Sequence, residues 1–127
     1  MSSHASDRPR NAADYVNDAI QFVESMVKIK AGDDKHGRPH AIASIATGAG
    51  VSRSAVRALL QPSRRPKQIA ADQWARLRGH YLRLCRSQLD DLQAEIRRIE
   101  ALGLHDAADR RLVDEAKATL ERLHALL

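Results

Sequence analysis

Apolar residues recur at helical spacing in five stretches of this chain, separated by short polar breaks. In residues 13–31, Val16, Ile20, Val23, Met26 and Val27 fall every three or four positions, and Tyr15, Ala19 and Phe22 widen the stripe. This predicts a first helix stopped at Gly32. A polar connector with Gly37 and Pro39 follows, and Pro39 suits a helix start because a first-turn N–H has no intrahelical partner to lose. Residues 41–60 read as two short helices around Gly50. From Ile69 to Leu102 a helical pattern of 34 residues is interrupted only by Gly79. At about 1.5 Å per residue it would make a rod of about 50 Å. A small core cannot reach that far, so the first part, with Trp74, Leu77 and Tyr81, is expected to pack on the preceding helices.

The second part of the rod carries Cys85, Leu89, Leu92, Ile96 and Ile99 at alternating steps of four and three, which is the spacing of a coiled-coil seam. Gly103 ends it. Asp106 is placed to cap a last helix, which repeats the period at Val113, Ala116, Leu120, Leu123 and Leu127. Folding back between Leu104 and His105 sets Ile96 opposite Val113 and Leu89 opposite Leu120, an antiparallel hairpin. Two helices cannot cover every side of both stripes, and Leu84, Leu112 and Leu126 are left over. Association with a second copy through Leu89, Leu92, Ile96, Ile99, Val113, Leu120 and Leu123 is the economical solution. Another protein docked on the hairpin is the alternative. The expected fold class is therefore all-α: an N-terminal helix, two short helices, and a long helix leading into a C-terminal antiparallel hairpin. Residues 1–12, polar and without periodicity, are expected to be a disordered tail, residues 13–84 a first domain and residues 85–127 the hairpin.

Composition agrees with helices, since Ala, Leu, Arg and Gln abound, runs of β-branched residues are absent and only four residues are aromatic. Charge adds a direction. The net charge of +5 is spread unevenly: residues 1–31 balance, residues 32–84 hold ten Lys or Arg against three Asp, and residues 85–127 hold seven basic against nine acidic. Positive charge concentrated in one block is the footprint of a surface that meets a polyanion. Cys85 is the single cysteine, so no intrachain disulfide can form, and a reducing cytoplasm is the expected compartment. No signal-like or membrane-length apolar run occurs, so no membrane association is expected.

The segment AIASIATGAGVSRSAVRALL, residues 41–60, has a physical reason at each special position. Ile45, Ala49, Val51, Val56 and Leu59 are apolar where two short helices crossing steeply need a shared core. Ala46 is small where they approach. Gly50 stands at the turn, where a positive φ penalises any Cβ, and Ser52 follows as an N-cap. Ile45-Ala46, followed by Ala49-Gly50-Val51-Ser52 and Val56, resembles the helix-turn-helix superfamily of bacterial DNA-binding proteins, in its LacI-type and Cro-type versions. The resemblance covers about twenty residues, and nothing after it looks like a sugar-binding domain. It implies that the helix after Ser52 enters the major groove of double-stranded DNA. Carried over by position, it implies that Ser52, Arg53, Ser54 and Arg57 face DNA with Gln61 at the margin, while Val56 and Leu59 face inward.

Next comes QPSRRPK, in which Pro62 and Pro66 stop the helix and are expected to hold Arg64, Arg65 and Lys67 in an extended loop able to clamp phosphate. Lys35 and Arg38, before the motif, are further candidates for backbone contact. Other chemistry is thin. His36 and His40 have no acidic or Cys partner at metal-site spacing, Cys85 lies on an apolar seam, and Thr47-Gly48-Ala49-Gly50 lacks the spacing and the following Lys of a phosphate loop. No enzyme, metal or cofactor is expected. The function that emerges is sequence-specific DNA binding by a nucleoid-associated transcriptional regulator. Two rivals remain: an adaptor or antitoxin-like protein-interaction module, and a DNA architectural protein indifferent to sequence.

Overall fold

The computed structural model describes residues 10–103 and 106–127. Within them the chain is all-α, with five helices, one 3-10 turn and no strand. The helices are α1 (Ala12–Ala31), α2 (Arg38–Ala49), α3 (Arg53–Leu60), α4 (Ala71–Ala101) and α5 (Ala107–Leu126), and Pro62–Arg64 forms the turn. Two compact units divide the chain between Tyr81 and Leu82, inside α4. None of these helices is long and apolar enough to cross a membrane.

Most of the expected tail, residues 1–9, lies outside the described residues. Its last part is corrected: Asn11 is the N-cap of α1 and Ala12 its first residue. The Asn11 side chain accepts the Asp14 N–H at 3.0 Å, and the Asp14 carboxylate accepts the Asn11 N–H at 3.1 Å. This reciprocal capping box satisfies two orphan donors and supports the helix start by about 1 kcal/mol. At the other end Gly32, at φ 59°, donates its N–H to the Lys28 carbonyl at 2.8 Å.

The core of the first unit follows the predicted stripes. Val23 and Met26 of α1, Ile45 of α2 and Val56 of α3 are fully buried, and Leu59 and Leu77 close the core from α3 and α4. Leu77 belongs to the opening turns of α4, which lie so close to α2 that a Cβ on Gly48 would sit 2.3 Å from the His80 ring. Beside this contact all four aromatic residues of the chain gather. Tyr15 and Phe22 stand seven residues apart on α1, as do Trp74 and Tyr81 on α4. Tyr15 meets Trp74 edge-on at 5.4 Å, and Phe22 stacks on Tyr81 at 5.4 Å while touching Trp74 at 6.2 Å. The Trp74 Nε1 is buried with no acceptor among the described residues. That omission costs about 1–3 kcal/mol, which the ring packing must exceed.

In the second unit α4 and α5 pack through Ile96, Val113 and Leu120, with Leu89 and Ala116 against them. All five residues belong to the two matching seams. Leu104 and His105, where the chain was expected to fold back, lie outside the described residues. The Asp106 side chain caps α5 by accepting the Asp109 N–H at 2.7 Å. Lys117 donates to Glu100 at 2.8 Å, a hydrogen bond that raises the lysine pKa above its ordinary value, and His124 meets Asp90 at 3.3 Å. The association residues expected from the seams therefore separate into two groups. Ile96, Val113 and Leu120 are buried within the chain with Leu89 partly buried against them, whereas Leu92, Ile99 and Leu123 stay at least 40% exposed.

The Gly48 contact reverses a simple expectation. Alanine in a helix is favoured over glycine by about 1 kcal/mol, but here the added methyl must push the His80 ring aside, and overpacking costs about 1–3 kcal/mol. Gly48→Ala should therefore lower stability in urea unfolding. Combined with His80→Ala it should raise stability relative to His80→Ala alone. A stabilising effect of Gly48→Ala in the parent would show that the ring moves freely.

Candidate nucleic-acid interface

The junction of α2 and α3 is built from three local devices. Gly50 adopts the left-handed conformation, φ 74° and ψ 35°, which a Cβ would penalise by about 1–2 kcal/mol. The Ala46 carbonyl accepts two N–H groups there, from Gly50 at 2.9 Å and from Val51 at 3.0 Å. Together they end α2 and reverse the chain. The Ser52 hydroxyl then accepts the Ala55 N–H at 3.1 Å and starts α3.

Burial orients α3. Val56 and Leu59 point into the core, whereas Ser52, Arg53, Ser54, Arg57 and Gln61 are all exposed. Arg53 and Arg57, four residues apart, share the outer face. Neither forms an ion pair with a described residue. An exposed helix of eight residues thus presents two free guanidiniums and two serine hydroxyls, all suited to donate to base edges or phosphate oxygens.

The basic loop behaves differently from its reading in the sequence. Residues 62–64 form a 3-10 turn in place of an extended loop, closed by the Arg64 N–H on the Gln61 carbonyl at 2.9 Å. Pro62 fits its first position, as it fits any helical start. Arg65 turns back: its Nε donates to the Leu59 carbonyl at 3.1 Å, and its Nη2 lies 3.9 Å from Glu24 of α1. The guanidinium thus ties the end of α3 to α1. Arg64 and Lys67 remain exposed, with no ion pair among the described residues. Lys35 and Arg38 line a shallow hollow with Asp33 and Asp34, whose carboxylates offset the local field.

Arg76 belongs with this region, and the sequence reading passed over it. From α4 its Nη1 donates to the Gly50 carbonyl at 2.9 Å, across 26 residues of chain. Positive charge at the C-terminal end of α2 is favoured by the helix dipole, and the bond locks the reversing turn from outside. Only the excess of basic residues in the 32–84 block hinted at it, since nothing local distinguishes Arg76 from Arg78. Behind α3 lies an apolar hollow of about 170 Å³, bounded by Val51, Ala58, Leu59, Ile69 and Leu77. No acid, base or thiol lines it. Among the described residues no three His, Cys, Asp or Glu side chains come together in a way that could hold a metal.

No protein-family model, curated protein or solved structure matches the chain. The likeness of residues 41–60 to helix-turn-helix proteins therefore rests on those residues themselves.

The two neighbouring arginines of the basic loop should separate in stability measurements. Arg65→Ala removes a charged hydrogen bond from a carbonyl at the end of α3 and should cost about 1 kcal/mol, the lower end of the range because the group is partly solvated. Arg64→Ala should change stability by less than about 0.5 kcal/mol. Equal effects in urea unfolding would mean that Arg65 does not anchor α3 in solution.

Proposed function

We propose that this chain binds double-stranded DNA in a sequence-specific manner and acts as a transcriptional regulator, with α3 as the helix that enters the major groove. One observation carries the reading. Among the described residues, α3 is the helix that follows a left-handed glycine turn and starts on a serine cap, and its outer face is Arg53, Ser54 and Arg57, with no carboxylate partner. A helix used only for packing has no need of two uncompensated guanidiniums on its solvent side. In this reading Arg53 and Arg57 reach base edges, and Ser52, Ser54 and Gln61 donate to bases or phosphates beside them. Arg64 and Lys67 neutralise phosphate after α3. Arg65 and Arg76 hold the geometry, and Lys35 and Arg38, set among aspartates, contribute least.

The division of labour is measurable. Arg53→Ala and Arg57→Ala should each relax preference at particular base pairs, by roughly 1–3 kcal/mol of discrimination. Arg64→Ala and Lys67→Ala should weaken binding to all sequences alike and lower the salt slope by about 0.9 per lost contact. Affinity is measured against salt concentration for a selected site and for random DNA. Equal affinity of the parent protein for both DNAs would favour an architectural protein, and no salt-dependent binding to either would remove DNA as the ligand.

A further inference from the structure

Among the described residues, every exposed large apolar side chain except Tyr15 lies in the hairpin of the second unit. At 3.6 residues per turn they are not scattered around it. Leu92, Ile99 and Leu102 occupy the flank of α4 to one side of the buried Ile96, and Leu112, Leu123 and Leu126 occupy the flank of α5 to the same side of Val113 and Leu120. The opposite edge of the hairpin is closed by the Lys117–Glu100 and His124–Asp90 pairs. One broad face of the hairpin is thus an apolar sheet of six side chains, of which Leu102, Leu112 and Leu126 are 77%, 65% and 80% exposed.

We propose that this flank face, and not the seam, binds a second copy of the chain, so that two hairpins form a four-helix bundle around a two-fold axis parallel to the helices. Exposed area and rim charge both select a second copy. Six aliphatic side chains this exposed present several hundred Å², matching the largest apolar patch of a typical monomer, about 300–600 Å², and approaching the roughly 800 Å² each partner buries in a standard interface. The rim charges are also self-complementary. On α4, Glu95 stands within the face on the Leu92–Ile99–Leu102 stripe, paired with Arg98 of the rim, and Asp91 edges it beside them; on α5, Arg111, Glu115 and Arg122 edge the face, so that a net negative side lies beside a net positive one. With the axis parallel to the helices, each α4 lies across the partner's α5 and opposite rims meet. The other two-fold packing sets α4 on α4 and like rims together. The parallel axis also brings both Leu82 ends to the same end of the bundle. The inference does not depend on DNA binding.

The test is sedimentation of the full chain without DNA. The parent should be a dimer at micromolar concentration, and Leu112→Glu with Leu126→Glu should raise the dissociation constant by at least 100-fold without loss of helical circular dichroism. Both side chains stand mostly in solvent within the monomer, so the hairpin should survive their replacement. Arg110→Glu, away from the face, should leave the dimer intact. Asp91→Lys with Glu95→Lys should weaken association, and adding Arg111→Glu and Arg122→Glu should restore at least tenfold of it. This second series decides the matter should the leucine variant unfold. A monomeric parent overturns the proposal and leaves the face to a different protein. A dimer indifferent to the leucine changes overturns it too, and charge reversal without restoration overturns the parallel axis. A dimer that ignores DNA would leave this surface standing while removing the proposed function, and a monomer that binds DNA would do the opposite.

Discussion

The carbonyl of Ala46 receives two N–H groups at the moment the chain reverses, and this is possible only because Gly50 can take a positive φ. Everything about the placement of α3 follows from that turn. It sets the angle at which α3 leaves α2, and Val56 and Leu59 then fall into the core while the arginines fall outside it. A helix of eight residues has little stability of its own and cannot hold such an orientation unaided. The structure therefore supports it at three points: Ser52 at its start, Arg65 on the Leu59 carbonyl near its end, and Arg76 on the Gly50 carbonyl behind the turn.

Two of those supports are arginines, which changes how the basic block should be understood. Ten basic residues between positions 32 and 84 invite a picture of one positive surface. The structure sorts them by geometry. Arg65 and Arg76 direct guanidinium groups at backbone carbonyls, Arg78 lies 6.0 Å from the Trp74 ring, and Lys35 and Arg38 share a hollow with two aspartates. Arg83 falls in the second unit, and Arg53, Arg57, Arg64 and Lys67 are what is left of the first, along α3 and just beyond it. The usable field is narrower than the composition, and better placed.

Periodicity made the helices legible, and the matching seams made legible that Leu89, Ile96, Val113 and Leu120 would share one core, because both depend on residues repeating within one element. The start of α1 was missed by one residue because Asp14, one methylene shorter than the usual glutamate, completes the capping box. The 3-10 turn at Pro62–Arg64 was missed because two prolines four residues apart suggest extended chain as readily as a tight turn. Arg76 on Gly50 and His80 against Gly48 depend on α4 returning across α2, and no local pattern encodes a contact between residues so distant in sequence. The same limit applies to the hairpin. The seven-residue repeat named the apolar positions, but which of them face each other and which face outward depends on how the two stripes meet.

The gathering of every aromatic ring beside α1 and the first turns of α4 has an optical consequence. Trp74 is the sole tryptophan, and the rings it meets, Tyr15 and Phe22, belong to the first unit. Its fluorescence therefore reports on the packing of that unit, whereas far-ultraviolet circular dichroism sums over all five helices. The two signals share a transition only if the units unfold together. The chain carries, without labelling, its own means of telling one cooperative body from two.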